Sequence, residues 1–299
     1  VARATGADAS QVTDLGSINI IVHQYNITGG AITSYSGYRV HSFTSVGNTT
    51  FTVLEAITCD ILVVAGGGGG GGSYYSGGGG AGGLMDKSGY ALAAGTYTIT
   101  VGAGGVGAGA NGGSTNGGNS GITGFTACVG GGRGGEGWDN GEDGGCGGGG
   151  SGPGGGAGGS STQGGGSDYY GYAGGATNGS YEAGGGGGAG AVGAVGTTSY
   201  TTGLGGVGRE NNYQTGNNQW YAAGGSGHAF HATSGGYHTR VNGIGGQGDG
   251  GESLTTEDLS KRDGTANTGS GGGGSDRRQL SYTRAGHGGS GIVVIRYAV

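Results

Sequence analysis

Ile61-Leu62-Val63-Val64-Ala65 runs without a break into the glycines of residues 66–72. The first half reads as a short, fully buried β-strand. The second half has no side chain to bury at all. Glycine supplies 92 of the 299 residues and proline supplies one, and that mismatch narrows the choice. Collagen needs a Gly-X-Y period and abundant proline, and the unbroken runs at 66–72, 147–150 and 184–188 violate the period. The common alternative for such a composition is a flexible linker. An ordered tract must instead be held by its backbone. The fold this points to is a bundle of extended, left-handed polyglycine helices bonded to one another laterally.

The physical case rests on what glycine lacks. A helix of the polyproline II type has three residues per turn, a rise of ~3.1 Å and no internal hydrogen bonds. Every N–H and C=O therefore needs a partner outside its own helix when buried. Glycine keeps its N–H and has no Cβ to hold neighbouring backbones apart. Ordering it costs more backbone entropy than ordering any other residue, so only a dense lattice of bonds offsets that cost. An inward position in such a lattice has no room for a Cβ.

Working outward from the junction, strands are expected at 18–22, 38–53, 60–65, 96–101 and 292–297. Tyr38-Arg39-Val40-His41-Ser42-Phe43 and Thr50-Phe51-Thr52-Val53, separated by Gly47-Asn48, read as a β-hairpin. Thr96-Tyr97-Thr98-Ile99-Thr100-Val101 alternates cleanly, and the chain closes on Ile292-Val293-Val294-Ile295-Arg296-Tyr297. The fold class is mostly β with irregular structure: a small antiparallel β-sandwich formed by the two ends of the domain, continuous with the polyglycine bundle, and little or no α-helix. Residues 254–262 offer the best helical candidate, though a polar loop suits them better. The chain divides into an N-terminal extension, 1–37, and a glycine-rich domain, 38–299.

Composition excludes several functions. A net charge of −6 with 10% charged residues leaves no basic stripe for nucleic acid. The longest apolar runs are too short to span a bilayer. Val1 without an initiator methionine fits a chain matured by cleavage, and equally an arbitrary boundary. Gly-x-Gly-x-x-Gly recurs by composition alone, and no P-loop ending follows it. No nucleophile elbow is present, so no enzymatic activity and no cofactor are expected.

The remaining sites are individually weak. Cys59, Cys128 and Cys146 lack metal-binding spacing; Cys128 and Cys146 are candidates for a loop disulfide in an oxidising compartment. Asp139, Glu142 and Asp143 form a weak calcium candidate, against a solvated acidic loop. Gly134-Gly135-Glu136-Gly137-Trp138-Asp139 opens like a calcium β-roll repeat but has no tandem copy. His228 and His231, with His238 nearby, lack a fourth ligand for zinc, so no metal is expected. Asn26, Asn48 and Asn178 head glycosylation sequons.

Aromatic residues punctuate the glycine tracts: Tyr169, Tyr170, Tyr172, Tyr181, Tyr200, Tyr213, Trp220, Tyr221, Phe230 and Tyr237. Segments that turn the chain lie at the ends or faces of the bundle, and tyrosine gives rigid amphipathic contacts there. The same rings serve equally well to cap the lattice or pack against it.

Tyr38-Arg39-Val40-His41-Ser42-Phe43-Thr44, Ile61-Leu62-Val63-Val64-Ala65-Gly66-Gly67-Gly68, Gly80-Ala81-Gly82-Gly83-Leu84, the stretch from Gly95 to Gly105, and Gly288-Gly289-Ser290-Gly291-Ile292-Val293-Val294-Ile295-Arg296-Tyr297 resemble the glycine-rich domain of phage tail-fibre and bacterial surface proteins. The resemblance covers roughly residues 38–297. It implies an extracellular or virion fibre module, similar in construction to polyglycine phage adhesins, and no catalytic residues. The apolar extension strand, Ile18, Ile20, Ile21 and Val22, is a liability unless paired, and suggests assembly by strand addition. The expected function is therefore a structural subunit of an extracellular fibre, assembled head to tail from identical chains. The alternative is a tail-fibre adhesin that meets surface glycans or outer-membrane proteins through its aromatic loops.

Overall fold

The computed structural model describes residues 10–14, 18–22, 26–72, 75–109, 113–179, 181–197, 202–232, 238–241, 246, 259–275 and 284–299. In chain order the elements are β1 (Ser10–Asp14), β2 (Ile18–Val22), β3 (Ile27–Thr28), β4 (Ala31–Tyr35), β5 (Tyr38–Phe43), β6 (Gly47–Val53), β7 (Ile57–Val64), β8 (Leu84–Leu92) and β9 (Gly95–Val101). Short strands follow: β10 (Gly121–Ile122), β11 (Tyr169–Tyr170), β12 (Arg209–Asn211), β13 (Gln219–Tyr221), β14 (Ala229–Ala232) and β15 (His238–Val241). A single helical turn, α1 (Leu259–Arg262), precedes the last strand, β16 (Ile292–Ala298).

Two antiparallel sheets build the sandwich, one in the order β10-β9-β6-β3 and the other β11-β8-β7-β16-β5-β4. The predicted hairpin is corrected here. β5 pairs with β4 and β16, whereas β6 pairs with β3 and β9, so the chain crosses between sheets at residues 44–46. Gly47 and Asn48 lie inside β6 opposite Val101 and Thr100. Both strands carry apolar residues for the same core, and a crossover lets them face each other across it. The sandwich also begins earlier than residue 38, because β3 and β4 join its two sheets.

The continuous apolar runs of β7 and β16 follow from burial on both faces of the six-stranded sheet. Ile61, Val63, Val293 and Ile295 face the four-stranded sheet and pack with Phe51, Ile99 and Val101. Leu62, Val64, Ile292 and Val294 face the other way, onto Tyr213, Tyr221, Cys146 and Ala189. One layer of strand thus serves two cores, which an alternating strand would not do.

At their ends the strands turn into lattice helices and carry their register with them. Val64 pairs with Leu84 in the sheet; beyond it, Ala65, Gly68 and Gly71 donate to Gly83, Gly80 and Gly77 at 2.8–3.0 Å. Val64 also pairs with Ile292, and Gly67 and Gly70 donate to Gly289 and Gly286. Gly66 and Gly69 donate to Gly118 and Thr115. The carbonyls of the same tract accept from Gly105 and Ala108, from Gly131 and Gly134, and from Gly272 and Ser275. Partners repeat every third residue, the signature of a three-fold helix. The central helix is thereby bonded to neighbours all round, and residues 61–72 are buried throughout.

Glycines 66–72 do not take positive φ; positive φ occurs instead at turns such as Gly37 and Gly216. Outer helices show the same three-residue period on their surfaces. Val192 and Val195, and Leu204 and Val207, are exposed, while Gly193, Gly196, Gly203 and Gly206 bond inward.

Candidate binding surfaces

The β12–β13 hairpin is fastened over one face of the six-stranded sheet by an arginine. Arg296 stands opposite Asp60 in the ladder and donates from Nε to its carboxylate at 2.8 Å. Its Nη1 donates to the Tyr35 hydroxyl oxygen at 2.8 Å and to Asn212 Oδ1 at 3.1 Å. The guanidinium lies between the rings of Tyr38 and Tyr213, 4.7 and 4.2 Å from their centroids. A planar cation satisfied along its edge and stacked on its faces makes a rigid fastening. The Tyr35 hydroxyl lies 3.0 Å from the carbonyl oxygens of both Asn212 and Tyr213 and donates its one proton between them. Burial, reinforced by Asp86, raises the Tyr213 hydroxyl far above the usual tyrosine range.

Two residues expected in adhesive loops are therefore anchors. Tyr213 and Tyr221 are buried in the second core, because an aromatic ring at the base of a short hairpin gains more from covering Val294 and Leu62 than from solvent. Tyr169 and Tyr170 form β11 at the edge of the six-stranded sheet. The Tyr169 hydroxyl donates to Thr126 O, and Arg209 stacks on Tyr170 at 3.7 Å. Tyr172 and Tyr181 are exposed. Phe230 belongs to β14, and Tyr200 and Tyr237 lie outside the described residues.

Trp220 lines an open cleft of about 460 Å³ with Gln214, Gln219, Tyr221 and the turn 265–268. The two walls are tied by Ala222 N–H donating to Thr268 O at 2.7 Å. No sequence signal joins these walls, since they lie more than 40 residues apart.

The other candidates resolve as follows. Cys128 and Cys146 are free thiols, which corrects the candidate disulfide: Cys128 sits in the first core and Cys146 in the second, with the six-stranded sheet between them. Burial pushes the Cys59 and Cys146 thiols up to about 12, and raises Cys128 further. Asp139, Glu142 and Asp143 share a shallow polar cavity, but Glu142 pairs with Arg133 at 3.0 Å and Asp143 accepts from Ser160 N–H at 2.6 Å. Among the described residues no cluster of three His, Cys, Asp or Glu is placed to hold a metal ion, so the calcium candidate is not supported. His228 is buried in the lattice. Asn26, Asn48 and Asn178 are all exposed. No described helix is long and apolar enough to cross a membrane.

Ile18, Ile20, Ile21 and Val22 form β2, paired to β1 in register from Ser10↔Val22 to Asp14↔Ile18. β1 and β2 thus pair with each other instead of leaving β2 a lone strand, and among the described residues these two strands belong to neither sandwich sheet.

The chain belongs to a glycine-rich domain family, whose model matches residues 44–298. No curated protein matches the chain.

Proposed function

We propose that this chain is a structural subunit of an extracellular or virion fibre, assembled head to tail from identical chains by strand addition, with exposed loops available for adhesion. The observation that carries this reading is the β1–β2 hairpin, which forms its own two-stranded sheet outside the sandwich. A two-stranded sheet alone is marginally stable in water. β4, the same five residues long as β2, closes the six-stranded sheet and, among the described residues, pairs only with β5. Residues 31–34 of β4 are exposed, which makes it an open edge of the kind that accepts a strand. Donor and acceptor are different strands, so the contact is heterologous, and where its rotation does not close into a ring it propagates as a filament. The reading assigns the chain no reaction. Deleting residues 1–24 leaves a monomer with unchanged melting that no longer forms filaments by electron microscopy. Filaments that persist after the deletion overturn the reading.

A further inference from the structure

The cleft beside Trp220 has a chemistry that fibre assembly does not use. Its volume, about 460 Å³, falls within the ~300–1,000 Å³ of small-molecule sites. Its side chains are an indole, a phenol, amides and hydroxyls, with no carboxylate, ammonium or guanidinium among the lining residues. An anionic or cationic ligand buried here would find no countercharge, which is costly. A ligand that is neutral, rich in hydroxyls and apolar on one face would match every wall.

The polar wall is held in place. The Tyr221 hydroxyl lies 2.8 Å from the amide oxygens assigned to both Gln214 and Gln219. A phenol carries one proton, so it donates to one amide carbonyl, and the other amide must turn its NH₂ to the phenol oxygen. The first glutamine then retains an NH₂ donor, and the second retains a carbonyl acceptor and one N–H. Donors and acceptors are thereby offered together, which is what a pair of vicinal hydroxyls requires. Because Tyr221 is anchored in the second core, both amides are positioned before any ligand arrives.

On both sides of the cleft the backbone is held out of its ordinary range. Ser36, Ala222 and Asn267 are the described non-glycine residues with positive φ. Ser36 is explained by the tight turn it makes with Gly37 between β4 and β5. The other two flank the cleft: Asn267, at φ 63°, lines it, and Ala222, at φ 55°, follows Tyr221 and bonds to Thr268. Asn tolerates this region, whereas Ala adopts it only where the surroundings override the steric cost.

We infer that the cleft between β13 and the 265–268 turn is a binding site for a neutral saccharide, with Trp220 supplying the stacking face and Gln214, Gln219 and Asn267 the hydroxyl-reading amides. This deepens the adhesive half of the proposed function and does not depend on polymerisation.

The test is calorimetric titration of the full chain with maltohexaose, cellohexaose, mannohexaose and galactohexaose, and with sialyllactose and hexagalacturonate as charged controls. Light scattering is recorded alongside, so that loss of assembly and loss of sugar binding are read separately. A neutral oligomer binds saturably, and the acidic ones do not. Trp220→Ala weakens that binding at least tenfold. Ala266→Trp fills the cleft from an exposed position and does the same, with melting unchanged, which covers the case in which Trp220→Ala disturbs the hairpin. Absence of binding by all four neutral oligomers, preference for an acidic one, or equal affinity in a folded Ala266→Trp variant overturns the assignment.

Discussion

Replacing Gly68 with alanine tests the lattice at its centre. A Cβ built there runs into the carbonyl oxygen of Gly132, lies 2.6 Å from the carbonyl carbon and 2.9 Å from Gly131 O. Reaching ordinary contact, 3.4 Å or more, requires the neighbouring helix to retreat by roughly 1 Å, since hydrogen bonds of ~2.9 Å weaken steeply beyond this. That helix is tied to the tract by Gly131 N–H to Gly66 O and Gly134 N–H to Gly69 O, both 2.9 Å. Both bonds are lost in a buried setting, where an unsatisfied group costs about 1–3 kcal/mol, so the variant loses about 2–6 kcal/mol. Gly154 is the control: it is exposed, and a Cβ there meets nothing within 4 Å. Gly154→Ala gains about 0.4–1 kcal/mol by restricting the unfolded chain. Guanidinium denaturation followed by circular dichroism measures both. If the two variants fall within about 1 kcal/mol of each other, glycine is not required by close approach and the lattice argument fails.

Three further outcomes follow. His41 is fully buried, with Nδ1–H donating to Gly29 O at 2.7 Å and Nε2 facing the Tyr297 hydroxyl at 3.2 Å; burial first, and then Arg39, hold its pKa below the ordinary 6.5 despite the bond to Gly29. Folded chain therefore binds fewer protons than unfolded chain below pH 6.5, so stability is full above that value and falls as pH drops toward the folded pKa. His41→Gln flattens this part of a melting-temperature profile between pH 7 and 5, and an unchanged slope refutes the assignment. Cys59, Cys128 and Cys146 stay unlabelled by a thiol reagent in the native state and all react in denaturant; a native disulfide would leave only one thiol. Arg296→Lys keeps the charge but loses the stacked, branched contact, so the protein becomes about 1–3 kcal/mol less stable and the Trp220 environment changes in its fluorescence; a silent variant refutes the fastening role.

The sequence determined the parts of this protein that depend on local chemistry. Four aliphatics at 61–64 and at 292–295 had to be buried strands, and glycine without proline had to bond through its backbone in three-fold helices. It did not reveal β8, whose run of Asp86, Lys87, Ser88 and Gly89 breaks any apolar pattern. That segment is a strand because β7 and β11 supply its hydrogen bonds. Nor did it distinguish a hairpin from a crossover at residues 44–46, since the same alternation serves one sheet or two. Tyr213, Trp220 and Tyr221 look alike as aromatic interruptions of a glycine tract. Only the tertiary structure separates them: two rings pack beneath the hairpin against the six-stranded sheet, and the third lines a cleft whose other wall is supplied by residues 265–268. Burial and the meeting of distant segments depend on where each lattice helix emerges from its strand, and that register is fixed by pairing between segments far apart in the chain.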